Sequence, residues 1–185
     1  MSDSMFKRVA SSVIVAAALV GCGSAPSRAE PDAAGYPNMP AENVTGPFPV
    51  TKVSDGDTIW VNDHGEPVKV RLIGIDTPEL HDPRKPVECF AQEASNRAEA
   101  VLGGQTVYLE TDPSQDSVDK YGRALAYVWT TSGQLFNLDM LADGFANEYT
   151  YDLPYRYQAR FRKAEADARS NARGLWAPTS CSGQR

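Results

Sequence analysis

The sequence predicts an α+β domain in which a small closed β-barrel is accompanied by helices, and three observations carry this prediction. Short segments in which apolar and polar residues alternate recur from Phe48 onward, with the period of half-buried strands. Asp-Gly and His-Gly turns, which glycine permits because it adopts positive φ freely, separate the first three of these segments. A stretch with apolar residues three to four positions apart, typical of an amphipathic helix, follows the third segment.

Each element follows from its own local pattern. Alternation of apolar and polar residues predicts five strands, at residues 48–53, 58–62, 67–75, 105–111 and 123–130. Helical periodicity that ends at glycine predicts three helices, at residues 87–104, 135–144 and 154–174. Five short strands with a helix inserted after the third have the order of the OB-fold, a five-stranded Greek-key barrel. The predicted fold is therefore an OB-type barrel with three helices.

The composition is typical of a globular protein with one domain of ordinary size, because the 185 residues are 42% hydrophobic and 23% charged. No segment reaches the roughly 20 apolar residues that a membrane span needs. The net charge of −6 argues against a protein that coats DNA. No pattern in the sequence indicates an oligomer, so we expect a monomer.

Residues 1–21 have the pattern of a signal peptide. Lys7 and Arg8 precede a short apolar stretch, and "LVGC" ends that stretch at Cys22. This tetrapeptide resembles the bacterial lipobox, in which the chain is cut before the cysteine and the cysteine is lipidated. We therefore expect a lipid on Cys22 that holds the protein at a membrane, outside the cytosol. The alternative is a plain secretion signal that is cut elsewhere, for example after Ala29.

The two remaining cysteines, Cys89 and Cys181, predict one disulfide, because thiols pair in an oxidising compartment. Two unpaired thiols are the alternative.

Residues 22–46 are rich in Ala, Pro, Gly and Ser without an apolar period, which predicts a flexible tether. The expected organisation is a signal peptide at 1–21, a tether at 22–46, a folded domain at 47–178 and a tail at 179–185.

Three motifs carry candidate chemistry, and each also has a structural explanation. In the first, Asp55 and Asp57 flank Gly56 at a predicted hairpin turn. Carboxylates two residues apart on a turn can bind a hard cation such as Ca²⁺. Aspartate is also a common turn residue, so the motif alone does not decide between a turn and a metal site.

The second motif is Arg71 in the third strand and the "DTPE" that follows it. On an alternating strand Arg71 and Ile75 point to one side and Asp76 to the other. A buried arginine needs an anion, and a phosphate suits the guanidinium fork. The alternative is a structural ion pair with Asp57 or Glu79, followed by an ordinary strand end.

The third motif is "DKYGR", in which a polar loop leads to Arg123 at the start of the fifth strand. A charged surface loop is its structural explanation.

Taken together and in this order, the three motifs resemble the staphylococcal nuclease (thermonuclease) family, and the resemblance runs from about residue 48 to Trp176. It implies an OB-barrel with three helices and a Ca²⁺-dependent nuclease that hydrolyses phosphodiester bonds of DNA and RNA with little sequence preference.

The resemblance also implies roles for individual residues. Asp57, Asp76 and the backbone carbonyl of Thr77 would hold a single Ca²⁺. Glu79 would act as general base on the attacking water. The remaining two catalytic positions, which would grip the phosphate and stabilise the charge of the transition state, are Arg71 and Arg123.

Four residues are implied as substrate contacts, namely Lys120, Tyr121, Tyr149 and Tyr151. Tyr121 would bind a terminal phosphate, and the other two tyrosines would line a base pocket by stacking. Packing at the rim of the core is the alternative for the tyrosines. For the whole protein, the alternatives are a non-catalytic nucleic-acid-binding module on the same barrel and a calcium-stabilised surface lipoprotein.

Overall fold

The predicted strands close into a barrel. The structure is a computed structural model, and it describes residues 39–80 and 86–184. The strands are β1 (Val44–Asp55), β2 (Thr58–Asp63), β3 (Glu66–Leu72), β4 (Ile75–Asp76), β5 (Thr106–Glu110), β6 (Ala124–Thr130) and β7 (Asn147–Glu148). Around the barrel their order is β1, β2, β3, β6 and β5, and β5 is hydrogen-bonded back to β1. Only the β3–β6 pair of the barrel is parallel. This architecture confirms the predicted α+β class and the five-stranded OB-fold.

The three predicted helices are present and cover the barrel. They are α1 (Ala91–Leu102), α2 (Phe136–Ala142) and α3 (Gln158–Ser170), and a 3-10 helix, Gly174–Trp176, follows α3. The inward-facing residues of β2 and β3, which are fully buried, are Ile59, Val61, Val70 and Leu72. Helices α1 and α3 direct their apolar faces to the core, where Ala94, Leu102 and Phe161 are buried. No helix in the described part of the chain is long and apolar enough to cross a membrane.

The ends of several elements differ from the prediction. β1 begins at Val44, four residues earlier than predicted, because Val44 and Thr45 pair with β5. The end of the predicted tether therefore belongs to the barrel, while Cys22 and the predicted signal peptide lie outside the described residues. Helix α1 begins only at Ala91, because Phe90 has a φ of 70°, in the left-handed region that does not continue a helix.

A pair of buried carboxylates ties the start of α3 to the barrel, and this explains why α3 begins four residues later than predicted. The amide of Arg156 donates to Asp112 Oδ2 at 2.8 Å, and the Tyr127 hydroxyl donates to the same oxygen at 2.7 Å. The Glu110 carboxylate accepts from Trp129 Nε1 at 2.8 Å and from the Tyr157 hydroxyl at 3.0 Å. Burial nevertheless raises the pKa of Glu110 above its ordinary value. The segment between β7 and α3 is thereby held against the barrel.

The predicted third strand does not run to residue 75, because the chain bends after Leu72. Gly74 adopts a φ of +79°, and a Cβ there would lie 2.6 Å from the Tyr155 ring, so a glycine is required. After the bend, Ile75 and Asp76 form the short strand β4, which pairs with β7. The expected strict alternation through Asp76 is therefore wrong. The bend returns Asp76 to the same side as Arg71.

The structure contains the predicted disulfide between Cys89 and Cys181, which are 92 residues apart in sequence. Cys181 is 7% exposed, and the amide of Gly183 donates to the Leu175 carbonyl at 2.9 Å. The residues that follow Trp176 are therefore packed on the domain as well as cross-linked to it.

Replacing both Cys89 and Cys181 by serine is expected to lower the free energy of unfolding by up to about 4–5 kcal/mol, because the cross-link no longer restricts the unfolded chain. Urea denaturation of the oxidised wild type and of the double variant measures the difference. Dithiothreitol provides the control, since it should bring the wild type to the midpoint of the variant and leave the variant unchanged. Equal midpoints for the variant and the oxidised wild type would contradict the expectation.

Candidate active site

Arg71 lies at the centre of the candidate site, at the end of β3. Its Nη1 donates to the carbonyls of Leu72 at 2.9 Å and Ile75 at 2.7 Å. Its Nη2 lies 2.9 Å from Asp76 Oδ1 and 3.3 Å from Asp57 Oδ2. With 12% of its side chain exposed, the guanidinium is held in place by two backbone and two carboxylate acceptors. The ion pair with Asp57 that was considered as a structural alternative is present, and Asp76 shares it.

Thr77, which follows β4, binds Asp57 in the β1–β2 turn. The amide and the hydroxyl of Thr77 donate to Asp57 Oδ2 at 3.0 and 3.1 Å. The Thr58 hydroxyl donates to the other carboxylate oxygen at 2.9 Å. Gly56 makes this approach possible, because a Cβ at that position would lie 2.7 Å from the Thr77 side chain. The hairpin glycine is thus required by packing against Thr77 as well as by the turn.

Asp55, which the sequence analysis considered with Asp57 as a possible cation ligand but gave no role in the site, lies at the site in the structure. It is 9% exposed, and its Oδ1 accepts the Gly56 amide at 2.8 Å. The pKa of Asp55 is raised to about 7, chiefly by burial and also by the neighbouring carboxylates of Asp57 and Glu79, the latter partly through a hydrogen bond.

Glu79 is positioned through its backbone by Glu88. The amide of Glu79 donates to Glu88 Oε2 at 2.9 Å, and the amide of Glu88 donates to the Glu79 carbonyl at 3.0 Å. These two hydrogen bonds close the base of the loop that carries Glu79. Cys89, which forms the disulfide, comes directly after Glu88. Sequence reasoning missed Glu88 because its contact with Glu79 spans nine residues and follows no local pattern.

The donors around Arg71 fit a hard divalent cation in type and charge. Carboxylate and carbonyl oxygens are the ligands that Ca²⁺ prefers. Asp57 and Asp76 supply two carboxylates that both contact Arg71 Nη2, and Thr77, which binds Asp57, has a backbone carbonyl to offer. Asp55 interacts with Asp57 and Glu79, so further carboxylates adjoin this pair. Across residues 39–80 and 86–184, no three or more His, Cys, Asp or Glu side chains are already arranged as a metal cluster.

Arg123 directly precedes β6, the strand that pairs with β3, and it is bound to Asp119. Its Nε donates to Asp119 Oδ2 at 2.7 Å, and its guanidinium lies 5.4 Å from the centre of the Tyr121 ring. Asp119 Oδ1 accepts the amides of Tyr121 and Arg123, both at 2.9 Å. Burial alone would raise the pKa of Asp119, but these hydrogen bonds hold it below its ordinary value. Asp119 orients Arg123, a role that the sequence analysis did not assign.

The four predicted substrate contacts form an exposed aromatic patch. Tyr149 and Tyr151 are 44% and 72% exposed, with ring centres 6.4 Å apart, and Tyr121 is 72% exposed. Lys120 Nζ lies 5.2 Å from the centre of the Tyr121 ring, and the neighbouring hydroxyl groups, first that of Tyr121 and then that of Tyr151, raise the pKa of Lys120. The tyrosines are therefore not core residues. The amide of Tyr149 donates to the Gly74 carbonyl at 3.1 Å, so the patch is attached next to the strand that carries Asp76.

Comparison with known proteins identifies the family of the chain. The family model described as staphylococcal nuclease homologue matches residues 69–178. The chain belongs to the staphylococcal nuclease family. The matched range contains every predicted site residue from Arg71 to Tyr151, whereas Asp55 and Asp57 precede it.

Relatives of this staphylococcal nuclease family member cover most of its folded part. A thermonuclease of Staphylococcus hyicus is 38% identical over 129 residues, which are 70% of this chain and 75% of the relative. A thermonuclease of Staphylococcus intermedius is 38% identical over 127 residues, which are 69% of this chain and 74% of the relative. Endonuclease YncB of Bacillus subtilis (strain 168) is 33% identical over 144 residues, which are 77% of this chain and 67% of the relative.

Asp55→Asn is expected to make the stability of this family member less dependent on pH. A folded-state pKa near 7, against an ordinary value near 4, means that ionisation of Asp55 opposes folding progressively between pH 4 and 7. The variant should therefore be more stable than the wild type by about 1–3 kcal/mol at pH 8 without divalent metal, and equally stable at pH 4.

Urea denaturation at the two pH values measures this difference. Asp152→Asn, at an exposed aspartate, is the matched control and should change stability little at either pH. A stability gain of Asp55→Asn that is the same at pH 4 and pH 8 would contradict the expectation.

Proposed function

We propose that the protein is a Ca²⁺-dependent nuclease that hydrolyses phosphodiester bonds of DNA and RNA with little sequence preference. One observation carries the proposal: a single guanidinium, that of Arg71, lies between the carboxylates of Asp57 and Asp76, with Asp55 and Glu79 beside them. This is the arrangement of charge that a phosphate and a divalent cation would complete. The chain also belongs to a family in which two of its relatives are thermonucleases, and this membership supports a nuclease function.

The metal would be held by Asp57, Asp76 and the backbone carbonyl of Thr77. Bound Ca²⁺ would supply Lewis-acid stabilisation of negative charge on the phosphate. Thr77 contributes more than a ligand, because its amide and hydroxyl bind Asp57 and so fix the direction of that carboxylate. The acidic excess around Arg71 supports a divalent rather than a monovalent partner.

The chain's own residues would carry the hydrolysis. Glu79 would accept a proton from a water molecule, whose oxygen attacks the phosphorus while the bond to the 5′ oxygen breaks. The departing 5′ oxygen takes a proton from solvent, so the products are a 5′-hydroxyl and a 3′-phosphate. Arg71 and Arg123 pair with the phosphate oxygens as negative charge builds on them. Both guanidinium groups are already held by carboxylates, so little reorganisation is needed to present them.

The exposed patch of Lys120, Tyr121, Tyr149 and Tyr151 would bind the nucleotide next to the scissile phosphate. The exposed rings of Tyr149 and Tyr151 offer stacking surfaces that accept any base, which agrees with little sequence preference. Lys120 and the Tyr121 hydroxyl can bind a phosphate oxygen.

The protein would act outside the cytosol, as a monomer held to a membrane by a lipid on Cys22. The tether that begins at Cys22 would separate the lipid from the barrel. The Cys89–Cys181 disulfide supports this location, because disulfides persist in oxidising compartments.

Nuclease activity with Ca²⁺, with EGTA and in the Glu79→Ser variant tests the proposal. EGTA should abolish cleavage of DNA and RNA, and Glu79→Ser should reduce the rate by roughly 10²- to 10⁴-fold, the usual contribution of a general base. Glu93→Ser, at an exposed glutamate of α1, is the matched control and should cleave like the wild type.

Cleavage that is insensitive to both EGTA and Glu79→Ser would overturn the mechanism. Tight oligonucleotide binding by the wild type without any cleavage would favour the non-catalytic module instead.

Mass spectrometry of the mature protein, expressed in a bacterium from the full chain, tests the lipid. The mature N-terminus should be Cys22 carrying acyl chains, and Cys22→Ser should abolish incorporation of labelled fatty acid. The matched control is the variant that lacks Cys89 and Cys181, which keeps Cys22 and should incorporate label like the wild type. An unmodified mature N-terminus at Glu30 would contradict lipidation and favour the secretion signal.

A further inference from the structure

A row of residues crosses the outer face of the barrel beside the candidate site and has no role in the function proposed above. Trp60 in β2 pairs with Lys52 in β1 on one side and with Lys69 in β3 on the other. Ile59 and Val61, which flank Trp60, are buried in the barrel, so Trp60 points to the outer face. We refer to Lys52, Trp60 and Lys69 as the outer row.

The indole of Trp60 is fixed in position and keeps part of its surface exposed. Its Nε1 donates to the Ser54 hydroxyl at 3.0 Å, and Lys69 Nζ lies 5.7 Å from the ring centre. Lys52 is exposed and Lys69 is partly exposed, so both ammonium groups can reach a ligand. A rigid aromatic surface between two cations has the chemistry of a stacked base between two phosphates.

The outer row is continuous with the candidate site. Lys69 and Arg71 point to the same side of β3, and residues two apart on a strand are separated by about 6.6 Å. Arg123 directly precedes β6, whose first residue, Ala124, pairs with Val70. The outer row therefore begins next to Arg71, on the strand that pairs with β6, and it leads away from Arg71 across β2 and β1.

We propose that the outer row is an additional binding site for single-stranded nucleic acid, in which a base stacks on Trp60 and Lys52 and Lys69 bind phosphates. This inference rests on the proposed function, because it extends the substrate beyond the scissile phosphate. The corresponding face of strands 2 and 3 binds oligonucleotides in OB-folds generally. A single strand fits better than a duplex, because a base must be unpaired to stack, and the net charge of −6 disfavours the broad electrostatic attraction on which duplex binding depends.

The competing explanation is that Lys69 and Trp60 form a cross-strand pair that only stabilises the sheet. The two explanations differ in how they depend on the length of the ligand. A sheet-stabilising pair affects all substrates equally, whereas an additional binding site affects only a strand long enough to reach it.

Fluorescence anisotropy with labelled single-stranded DNA tests the proposal, using a dinucleotide and a 12-nucleotide strand in a Glu79→Ser background that does not cleave them. Trp60→Leu is expected to weaken binding of the 12-nucleotide strand by roughly 5- to 100-fold and to leave the dinucleotide unchanged. Lys69→Gln should weaken the longer strand and lower the slope of log K against log salt by about 0.7. Lys163→Gln, at an exposed lysine of α3, is the matched control and should bind both like the parent.

Trp60→Phe keeps the proposal testable if Trp60→Leu does not fold, because phenylalanine retains a stacking ring and should retain most of the affinity for the longer strand. Quenching of tryptophan fluorescence by the 12-nucleotide strand gives an independent measurement. Trp129 is fully buried and Arg169 lies 4.0 Å from the Trp176 ring centre, so the quenching should come mainly from Trp60 and be lost in Trp60→Phe.

Equal effects of Trp60→Leu on both ligands, or no effect on the longer one, would overturn the outer row and leave the nuclease proposal standing. Length-dependent binding through Trp60 in a wild type that cleaves nothing would support the outer row and overturn the nuclease proposal. A parent protein that binds neither ligand would overturn the outer row.

Discussion

The candidate site depends on the Arg71 guanidinium, which joins the bend of the backbone to the carboxylates that the bend brings together. Through Nη1, Arg71 binds the carbonyls on both sides of the turn at Gly74. Through Nη2, it binds Asp57 from the β1–β2 turn and Asp76 from beyond the bend. One buried cation therefore stabilises a local conformation and a non-local contact at once, and removing it would leave several carboxylates close together in a poorly solvated place.

The clustered carboxylates that suit the proposed function are unfavourable for the stability of the domain. The carboxylates of Asp57 and Asp76 share the guanidinium of Arg71, and Asp55 adjoins Asp57 and Glu79. Burial, together with repulsion from these neighbouring carboxylates, raises the pKa of Asp55. Domain stability alone would favour neutral side chains at some of these positions. Their retention is explained if a divalent cation and a phosphate bring the missing charges, so that the repulsion is relieved only in the complex.

Local patterns predicted the barrel and its helices well, because alternation and glycine turns act over a few residues. They also brought Asp57, Arg71 and Asp76 into consideration, although the predicted strand placed Asp76 on the wrong side. The bend at Gly74 escaped detection because it depends on the Tyr155 ring, 81 residues later. Asp119 and Glu88 were missed for a related reason: each acts by orienting another side chain or segment, and such a role has no signature in a single sequence.

Covalent and non-covalent contacts together hold the segment that carries Glu79. Its backbone is bound by Glu88 on both its donor and its acceptor side, and Glu88 is followed by a cysteine that is bonded to residue 181. The residues after α3 are thus connected, through one disulfide and one pair of hydrogen bonds, to the proposed general base. A general base must lie within hydrogen-bond reach of its water, and small displacements of such groups reduce rates strongly. In the proposed function the disulfide therefore helps to position Glu79 in addition to restricting the unfolded chain, because it fixes the residue that follows Glu88.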